Sequence, residues 1–248
     1  YGITMRGSRS WASVHPGFMT VYSNHGGKDF VMQDGKLVSQ VNTPEAVEIT
    51  DKYAKLVKEA GPKDWATYTW YQSSADLSAG KAAMYLDANV WAYFLKDPES
   101  AREAGNIAVA PPPVSNPNEP LGSNIWAWSL AMNASSAKKE AAWLFMQYFT
   151  GKEHLTWGAI EANSVDPVRK SIWENDKFIG KMGAITGYID THNAIINNAS
   201  IKFTPQPEFF NTTTEWAVAL QDIVNGANTK ARLDQLAKDM NDRVSRIR

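Results

Sequence analysis

The sequence predicts an α/β fold, because segments of helical periodicity alternate with short apolar stretches. One helix is expected to begin at Thr43-Pro44, where a hydroxyl caps the helix and proline suits its first turn, and to end at Gly61-Pro62. Short strands are expected at 1–6, 82–86 and 107–110, with a longer one at 122–132. Helices predominate and the strands between them are short and isolated, which is typical of the α/β class.

The remaining elements are predicted from apolar faces and end signals. Residues Gln33 to Lys36 are expected to form a turn between two short extended segments. Residues Thr212 to Glu215 fit a capping box, so a helix is expected there, ending at Gly226. Further helices are expected at 16–22, 73–79, 91–95, 136–151, 153–161, 168–179, between 181 and 198, and from about 229 onwards.

The composition excludes several kinds of partner, chemistry and membrane insertion. The 248 residues carry 25 Lys and Arg against 26 Asp and Glu, and no basic run is present, so we expect no nucleic-acid partner. Cysteine is absent, which excludes disulfides, thiol catalysis and Cys-ligated metals. No apolar run approaches the roughly 20 residues needed to span a bilayer.

Enzyme signatures are also weak. His154 and His192 are isolated, without the spacing of a metal site. Gly26-Gly27 is not followed by the lysine of a phosphate-binding loop, and no G-x-S-x-G motif is present. We therefore expect no catalytic residue, no metal and no cofactor, although scattered carboxylates can still pair in three dimensions as in a glycosidase.

Aromatic residues provide the main positive indication of function. Ten Trp, nine Tyr and nine Phe are many for this length, and several fall in predicted loops, where amphipathic rings often contact ligands. The predicted strand at 82–86 runs into a loop that carries Trp91, at the strand end where open α/β sheets bind ligands. An indole face suits the C–H face of a sugar or polyol. The alternative is that Trp91 is a core residue capping the sheet.

The chain begins directly in a predicted strand, Tyr1-Gly-Ile-Thr-Met-Arg, with no initiator methionine or signal peptide. We expect it to be the downstream part of a longer protein.

Four ordered stretches carry a family resemblance. They are Tyr1-Gly-Ile-Thr-Met-Arg-Gly with Arg9-Ser-Trp-Ala-Ser-Val-His-Pro-Gly-Phe; Asn42-Thr-Pro-Glu-Ala-Val; Ser78-Ala-Gly-Lys-Ala-Ala-Met with Trp91; and Gly122-Ser-Asn-Ile-Trp-Ala-Trp with Lys139-Glu-Ala-Ala-Trp and Asp166-Pro-Val-Arg-Lys-Ser. In their order and spacing they resemble the extracellular solute-binding proteins, family 1, of ABC importers. This group contains maltose-binding protein and many sugar- and polyol-binding relatives.

The resemblance implies a type II periplasmic-binding-protein-like fold of two α/β lobes joined by crossover strands. Residues 1–118 and 205–248 would form the C-terminal lobe, and 119–204 a crossover strand and a helical return segment of the N-terminal lobe. Most of the N-terminal lobe would then be missing from this chain, and the segment 125–200 would expose the apolar face of its main helix. Implied partners are this missing N-terminal half and the membrane permease subunits. The implied location is the periplasm, or the cell exterior with a lipid anchor in a Gram-positive organism.

The first group of candidate ligand-binding residues follows the predicted strands at 1–6 and 82–86. Trp91 matches the position of a ring that stacks on the ligand in the family. Arg9 can donate two parallel hydrogen bonds to vicinal hydroxyls, or else tether its loop by a salt bridge. Trp11 is expected to contact the ligand, and His15 either recognises a hydroxyl or caps and packs a helix.

The second group lies beside the crossover and near the helix ends. By resemblance, Asn124 and Trp126 face the cleft. Trp128 lies on the same face of the predicted strand as Trp126, so one of these two rings is expected in the core. Either Asp87 and Asn89 contact hydroxyls or they serve a turn or cap. The remaining candidates are Phe209 and Phe210 at the cleft mouth, and Arg169, which equally fits a surface position at a helix start.

The function predicted from these residues is capture of a neutral sugar or sugar alcohol by lobe closure, followed by delivery to the permease. Rings would stack on the ligand while polar side chains pair with its hydroxyls. Because Arg9 is among the candidates, an acidic sugar remains an alternative ligand. The alternatives are a carbohydrate-active enzyme and a chemoreceptor-coupled carbohydrate-binding module.

Overall fold

The computed structural model describes residues 1–95, 97–99, 101–163 and 166–247. Its strands are β1 Ile3–Thr4, β2 Phe30–Gln33, β3 Lys36–Ser39 and β4 Met84–Tyr85. Its α-helices are α1 Trp11–Ser13, α2 Met19–Asn24, α3 Pro44–Ala60, α4 Trp70–Ser78, α5 Trp91–Phe94, α6 Lys139–Phe149, α7 Lys152–Ile160, α8 Lys170–Trp173, α9 Asp176–Gly183, α10 Tyr188–Ile195, α11 Phe209–Val224 and α12 Thr229–Val244.

The strands form two small sheets. Strands β1 and β4 are parallel, with Ile3 opposite Met84. Strands β2 and β3 form an antiparallel hairpin, closed where Gln33 pairs with Lys36. The predicted turn is confirmed, and its two central residues, Asp34 and Gly35, both have positive φ as a tight hairpin requires.

The larger core is formed by α3, α11 and α12 around the buried ring of Trp216. Phe18 and Tyr22 meet this indole edge to face, with ring centroids 5.6 Å and 4.9 Å away. The predicted start of α3 is confirmed, because the hydroxyl of Thr43 accepts from the backbone N–H of Ala46. These contacts tie the beginning and the end of the chain into one unit.

A second, smaller core joins residues near position 90 to the helices after α6. Its buried members are Ala92, Ala159, Ile172, Phe178, Met182, Ile185 and Tyr188. Val90 and Val109 pack against it from the earlier part of the chain. The cluster therefore draws residues from both sides of position 118, and the division of the chain into lobes stays a prediction.

The helix α6 has no buried residue. Its exposed apolar side chains include Trp143, Leu144, Phe145, Tyr148 and Phe149. Upstream of it, Trp128 is 83% exposed and Leu130 and Met132 are exposed as well. An apolar surface of this size is unusual for a water-facing helix. The expected exposure of the main helix in the segment 125–200 is thus observed.

Some expected elements are absent from the described residues. Residues 122–132 do not form the predicted strand, since only Asn124 makes a bridge, to Ser200, and 107–110 is reduced to a bridge between Ala108 and Thr186. Within the described residues, each segment makes only this single bridge, so no ladder continues from it.

Two predicted helices also differ from the structure, one in where it starts and one in its continuity. Helix α11 begins at Phe209, so Thr212 and Thr213 lie inside it and bond the carbonyls of Glu208 and Phe209. The helix predicted over 168–179 is broken in two, because the side chain of Asn175 accepts from the N–H groups of Lys177 and Phe178 and caps a new start.

Candidate functional site

An open cleft of about 2190 Å³ lies between the two cores. One wall comes from the chain that leaves β1 and the segment 123–128, which lie beside the larger core, and the other from the helices α8 and α10 of the smaller core; the loop that follows β4 contributes to both. The lining side chains that the following paragraphs use are Arg6, Trp11, His15, Trp70, Asp87, Asn89, Trp91, Asn124, Trp126, Asp166, Trp173, Tyr188 and His192.

A buried ion pair supports the loop after β4. Arg6 donates from Nε to Asp87 Oδ2 over 2.7 Å and from a terminal nitrogen to Oδ1 over 2.5 Å. The carboxylate side chain is only 1% exposed. It also accepts from the N–H of Ala88 and from the indole of Trp91, over 3.1 Å in the second case. With four such donors, the hydrogen-bonding capacity of this carboxylate is taken up by protein groups.

Three flat groups form a layer on this support. The ring of Trp70 lies parallel to that of Trp91, with centroids 6.3 Å apart and an interplanar angle of 17°. The guanidinium carbon of Arg6 lies 5.1 Å from the Trp70 ring centroid, a cation–π distance. Because Asp87 holds both ends of this layer, the orientation of Trp91 is fixed before any ligand arrives.

A second aromatic group surrounds His15. Its ring centroid lies 4.7 Å from that of Trp126, and Trp11 lies 5.6 Å from Trp126. Phe209 and Phe210 contact Trp11 from behind. The rings give this part of the cleft a large apolar surface.

The side chain of Asn124 is bonded to protein groups on both sides, one of them His15. The amide Nδ2 of Asn124 lies 2.7 Å from His15 Nδ1, and its Oδ1 accepts from the backbone N–H of Lys202. Burial, aided by the nearby charge of Arg6, lowers the pKa of His15 to about 4. The ring is therefore neutral at physiological pH, and Asn124 donates to its unprotonated nitrogen.

A polar cluster made of Asn89, Asp166 and Tyr188 joins the loop after β4 to the wall that α10 contributes. Asn89 Nδ2 donates to Asp166 Oδ1 over 2.5 Å and to the Tyr188 hydroxyl over 3.1 Å. Tyr188 also hydrogen-bonds Asp166. Asp166 remains open to the cleft, but protein encloses the other sides of its carboxyl, and this loss of hydration raises its pKa to about 6.

Beside this cluster, Trp173 stacks on two rings. Its centroid is 3.5 Å from that of His192, with an interplanar angle of 3°, and 6.2 Å from that of Tyr188. Its indole N–H donates to the carbonyl of Pro167. The cleft thus offers flat apolar faces and hydrogen-bonding groups on both walls.

Comparison with known proteins places this cleft in a family. The family model for bacterial extracellular solute-binding proteins matches residues 8–155. The chain belongs to this family. An erythritol/L-threitol-binding protein of Mycolicibacterium smegmatis is 40% identical over 246 residues, which are 99% of this chain and 51% of that protein.

Solved structures of solute-binding proteins share the fold. One from Agrobacterium radiobacter K84, in complex with ribitol, has a TM-score of 0.81 and 24% identity, covering 98% of this chain and 59% of its own. One from Agrobacterium vitis S4, with bound D-mannitol, has a TM-score of 0.75 and 25% identity, covering 99% and 60%. The predicted family and its type II binding-protein fold are confirmed. The chain spans about half the length of the Mycolicibacterium relative.

Seven of the residues predicted to bind ligand line the cleft of this solute-binding protein. They are Trp11, His15, Asp87, Asn89, Trp91, Asn124 and Trp126. For two of them the hydrogen bonds favour the supporting role, because the side-chain groups of Asp87 and Asn124 are used by neighbouring residues. A direct ligand contact for any of the seven stays a prediction.

The other four predicted residues do not line the cleft. Arg9 donates to Gln221 Oε1 over 2.8 Å, so it tethers its loop to α11. Arg169 donates to the carbonyl of Thr150. Phe209 and Phe210 contact the ring of Trp11 edge to face, and Phe210 is itself exposed to solvent. They act on the cleft through the ring that they hold.

The sequence reasoning missed several side chains that the fold brings to the cleft. Arg6 ends the first strand, and Asp166 lies within a stretch that carries the family resemblance, so both could have been found by position. Trp70, Tyr188 and the Trp173–His192 stack lie far from one another in the chain, and nothing in the local pattern joins them.

Within the part of the chain that the structure describes, no group of three His, Asp or Glu residues is placed to hold a metal ion. Among the same residues, no helix has the length and apolar character needed to cross a bilayer.

Proposed function

We propose that this chain is part of the substrate-binding subunit of an ABC importer that captures a neutral sugar or sugar alcohol. The observation that carries the proposal is the Trp70–Trp91 layer, fixed by Arg6 and Asp87, which lines the same cleft as the polar cluster of Asn89. The proposal is supported by relatives named for erythritol, L-threitol and mannitol.

The physical argument rests on what a polyol presents to a protein. Its C–H groups form an apolar strip, and its hydroxyls are neutral donors and acceptors. Ring faces bury the strip, and convergent polar groups fix the hydroxyls. A preoriented ring such as Trp91 loses little conformational entropy when the ligand binds, so more of the contact energy appears as affinity.

Capture is proposed to proceed by closure of two lobes on the ligand. Ligand binding would select the closed form, because only that form brings both walls of the cleft within hydrogen-bonding reach of one small molecule. The closed form would then dock on the permease, in the periplasm or, for a lipid-anchored protein, at the outer face of the membrane. No covalent step is involved.

The apolar face of α6 is proposed to pack against a further part of the same protein. The chain spans 51% of the Mycolicibacterium relative, so a protein of that relative's length would have as many residues again to cover this face. A helix whose rings are exposed, such as Phe145 at 56%, gains free energy when such a surface is buried. The upstream half predicted from the resemblance is the proposed occupant.

The experiment that tests the ligand class is a thermal-shift screen with the protein as its gene encodes it. Erythritol, ribitol, mannitol and neutral mono- and disaccharides are each added at high concentration. A ligand present at about 100 times its Kd stabilises by roughly 2.7 kcal/mol, which shifts Tm by several degrees. Cooperative unfolding with no shift from any of these compounds would overturn the proposal.

A further inference from the structure

The charges that line the cleft are compensated unevenly. Arg6 is paired with Asp87, and Lys170 lies 3.7 Å from Glu174. Asp166 also lines the cleft, yet it takes part in no ion pair among the residues that the structure describes. Among the described residues, it is therefore a carboxylate that faces the ligand space without a cation of its own.

The partners of Asp166 are neutral. The Asn89 amide donates to it over 2.5 Å, and the Tyr188 hydroxyl bonds it from the first turn of α10. Neutral donors orient a carboxylate but leave its charge in place. Its pKa is raised to about 6, which agrees with surroundings that destabilise the ionised form of the carboxyl.

Neither Arg9, which was considered for an acidic ligand, nor Arg6 offsets this charge. Arg9 is bonded to Gln221 and lies outside the cleft lining. Arg6 reaches the cleft but has its fork filled by Asp87 and the carbonyl of Ala12. The described residues thus offer an anionic ligand one uncompensated negative charge and no uncommitted arginine.

We propose that Asp166 determines specificity, accepting hydrogen bonds from ligand hydroxyls and excluding ligands that carry a carboxylate. This inference rests on the proposed function and narrows its substrate class to neutral polyols and sugars, against the corresponding sugar acids. A hydroxyl donates a charge-assisted hydrogen bond to the ionised carboxylate, whereas a ligand carboxylate beside it is repelled by the like charge.

The test compares each polyol with the acid of the same carbon skeleton. Erythritol and erythronate, and ribitol and ribonate, are titrated calorimetrically at pH 7.5 into the protein as its gene encodes it. The wild type is expected to prefer the polyol by at least about 100-fold. Asp166→Asn should weaken polyol binding by about tenfold and reduce that preference to less than about tenfold.

Glu174→Gln is the matched control, because it removes the same charge from the same cleft wall at a site already paired with Lys170. It should leave the preference unchanged. Asn89→Ala is a second variant that keeps the charge of Asp166 but removes a donor that orients it. It should weaken polyol binding and still exclude the acid.

The outcomes separate the two levels of the proposal. If the wild type binds no neutral polyol or sugar, the proposed function fails. If it binds the acid as tightly as the polyol, the role of Asp166 is overturned while the transport function stands. The role of Asp166 is also overturned if folded Asp166→Asn keeps the wild-type preference for the polyol. It is overturned as well if Glu174→Gln reduces that preference as much as Asp166→Asn does.

Discussion

Trp91 donates its indole N–H to Asp87 Oδ1 over 3.1 Å, and the same carboxylate holds the guanidinium of Arg6. A residue expected to bind a ligand hydroxyl is instead the anchor of the ring beside it. Since Arg6 also lies over Trp70, the carboxylate orients both the stacking ring and the ring behind it. The geometry therefore separates groups that contact a ligand from groups that position them.

Asp87→Ala should destabilise the protein strongly. The substitution leaves the guanidinium of Arg6 largely buried without its counter-charge, which costs about 3–5 kcal/mol in the free energy of unfolding. Urea denaturation of the ligand-free protein measures the loss. Glu59→Ala breaks an exposed pair with Lys55 and should have a far smaller effect. Equal effects of the two substitutions would contradict the supporting role.

Trp91→Ala should weaken binding of the best polyol by at least about tenfold in protein that still unfolds cooperatively. The loss reflects removal of a preoriented ring face from the cleft. Trp157→Ala removes an indole that does not line the cleft and serves as the control. Calorimetric titration compares the two. Unchanged affinity in Trp91→Ala would make this ring a core residue, as the sequence alone also allowed.

The pH dependence of stability should report the burial of His15. Its pKa is about 4 when folded and about 6.5 when unfolded, so the unfolded state binds more protons between these values. Stability then rises with pH across this window and is lost as pH falls through it. Relative to His15→Gln, the wild type should gain roughly 3 kcal/mol between pH 4 and pH 7. Parallel curves for the two proteins in urea denaturation would show that this ring is not buried neutral.

The affinity for the ligand should also fall as the pH is lowered, because Asp166 becomes protonated. Ligand hydroxyls donate to the ionised form, so affinity should fall as pH drops through about 6 and the carboxyl becomes protonated. Tyr188 stays neutral throughout, because burial raises its pKa, and burial lowers the pKa of His192 in the same wall. The difference between wild type and Asp166→Asn isolates the carboxyl. An identical decline in both proteins would assign the effect to another group.

The sequence predicted most of the fold because local signals agreed with the final packing. The cap at Thr43 and the turn at Asp34-Gly35 depend on residues a few positions apart. The strand at 122–132 was wrong because a strand needs a partner, and apolar content alone does not show whether one runs beside it. The capping box at Thr212 failed because threonine hydroxyls bond helix carbonyls as readily as they cap N–H groups.

The candidate site was predictable where a side chain follows a strand, as Trp91 does. Contacts that join distant parts of the chain were not predictable from one sequence. Asn89 and Asp166 are 77 residues apart, and Arg6 and Asp87 are 81 apart. Residue type alone did not show that the carboxylate of Asp87 would be consumed by an arginine while that of Asp166 would not.

The exposed face of α6 gives the last prediction. In the protein as its gene encodes it, Phe145→Asp should be strongly destabilising, because the proposed packing would bury a charge in an apolar contact. Gln147 lies about 200° around the helix from Phe145, so Gln147→Asp should be tolerated. In the separate chain of residues 1–248, where Phe145 is 56% exposed, Phe145→Asp should instead raise solubility without lowering Tm. Thermal unfolding of both variants in both proteins provides the four measurements. If the longer protein tolerated Phe145→Asp as well as Gln147→Asp, this face would remain open to solvent there too, and no further part of the protein would cover it.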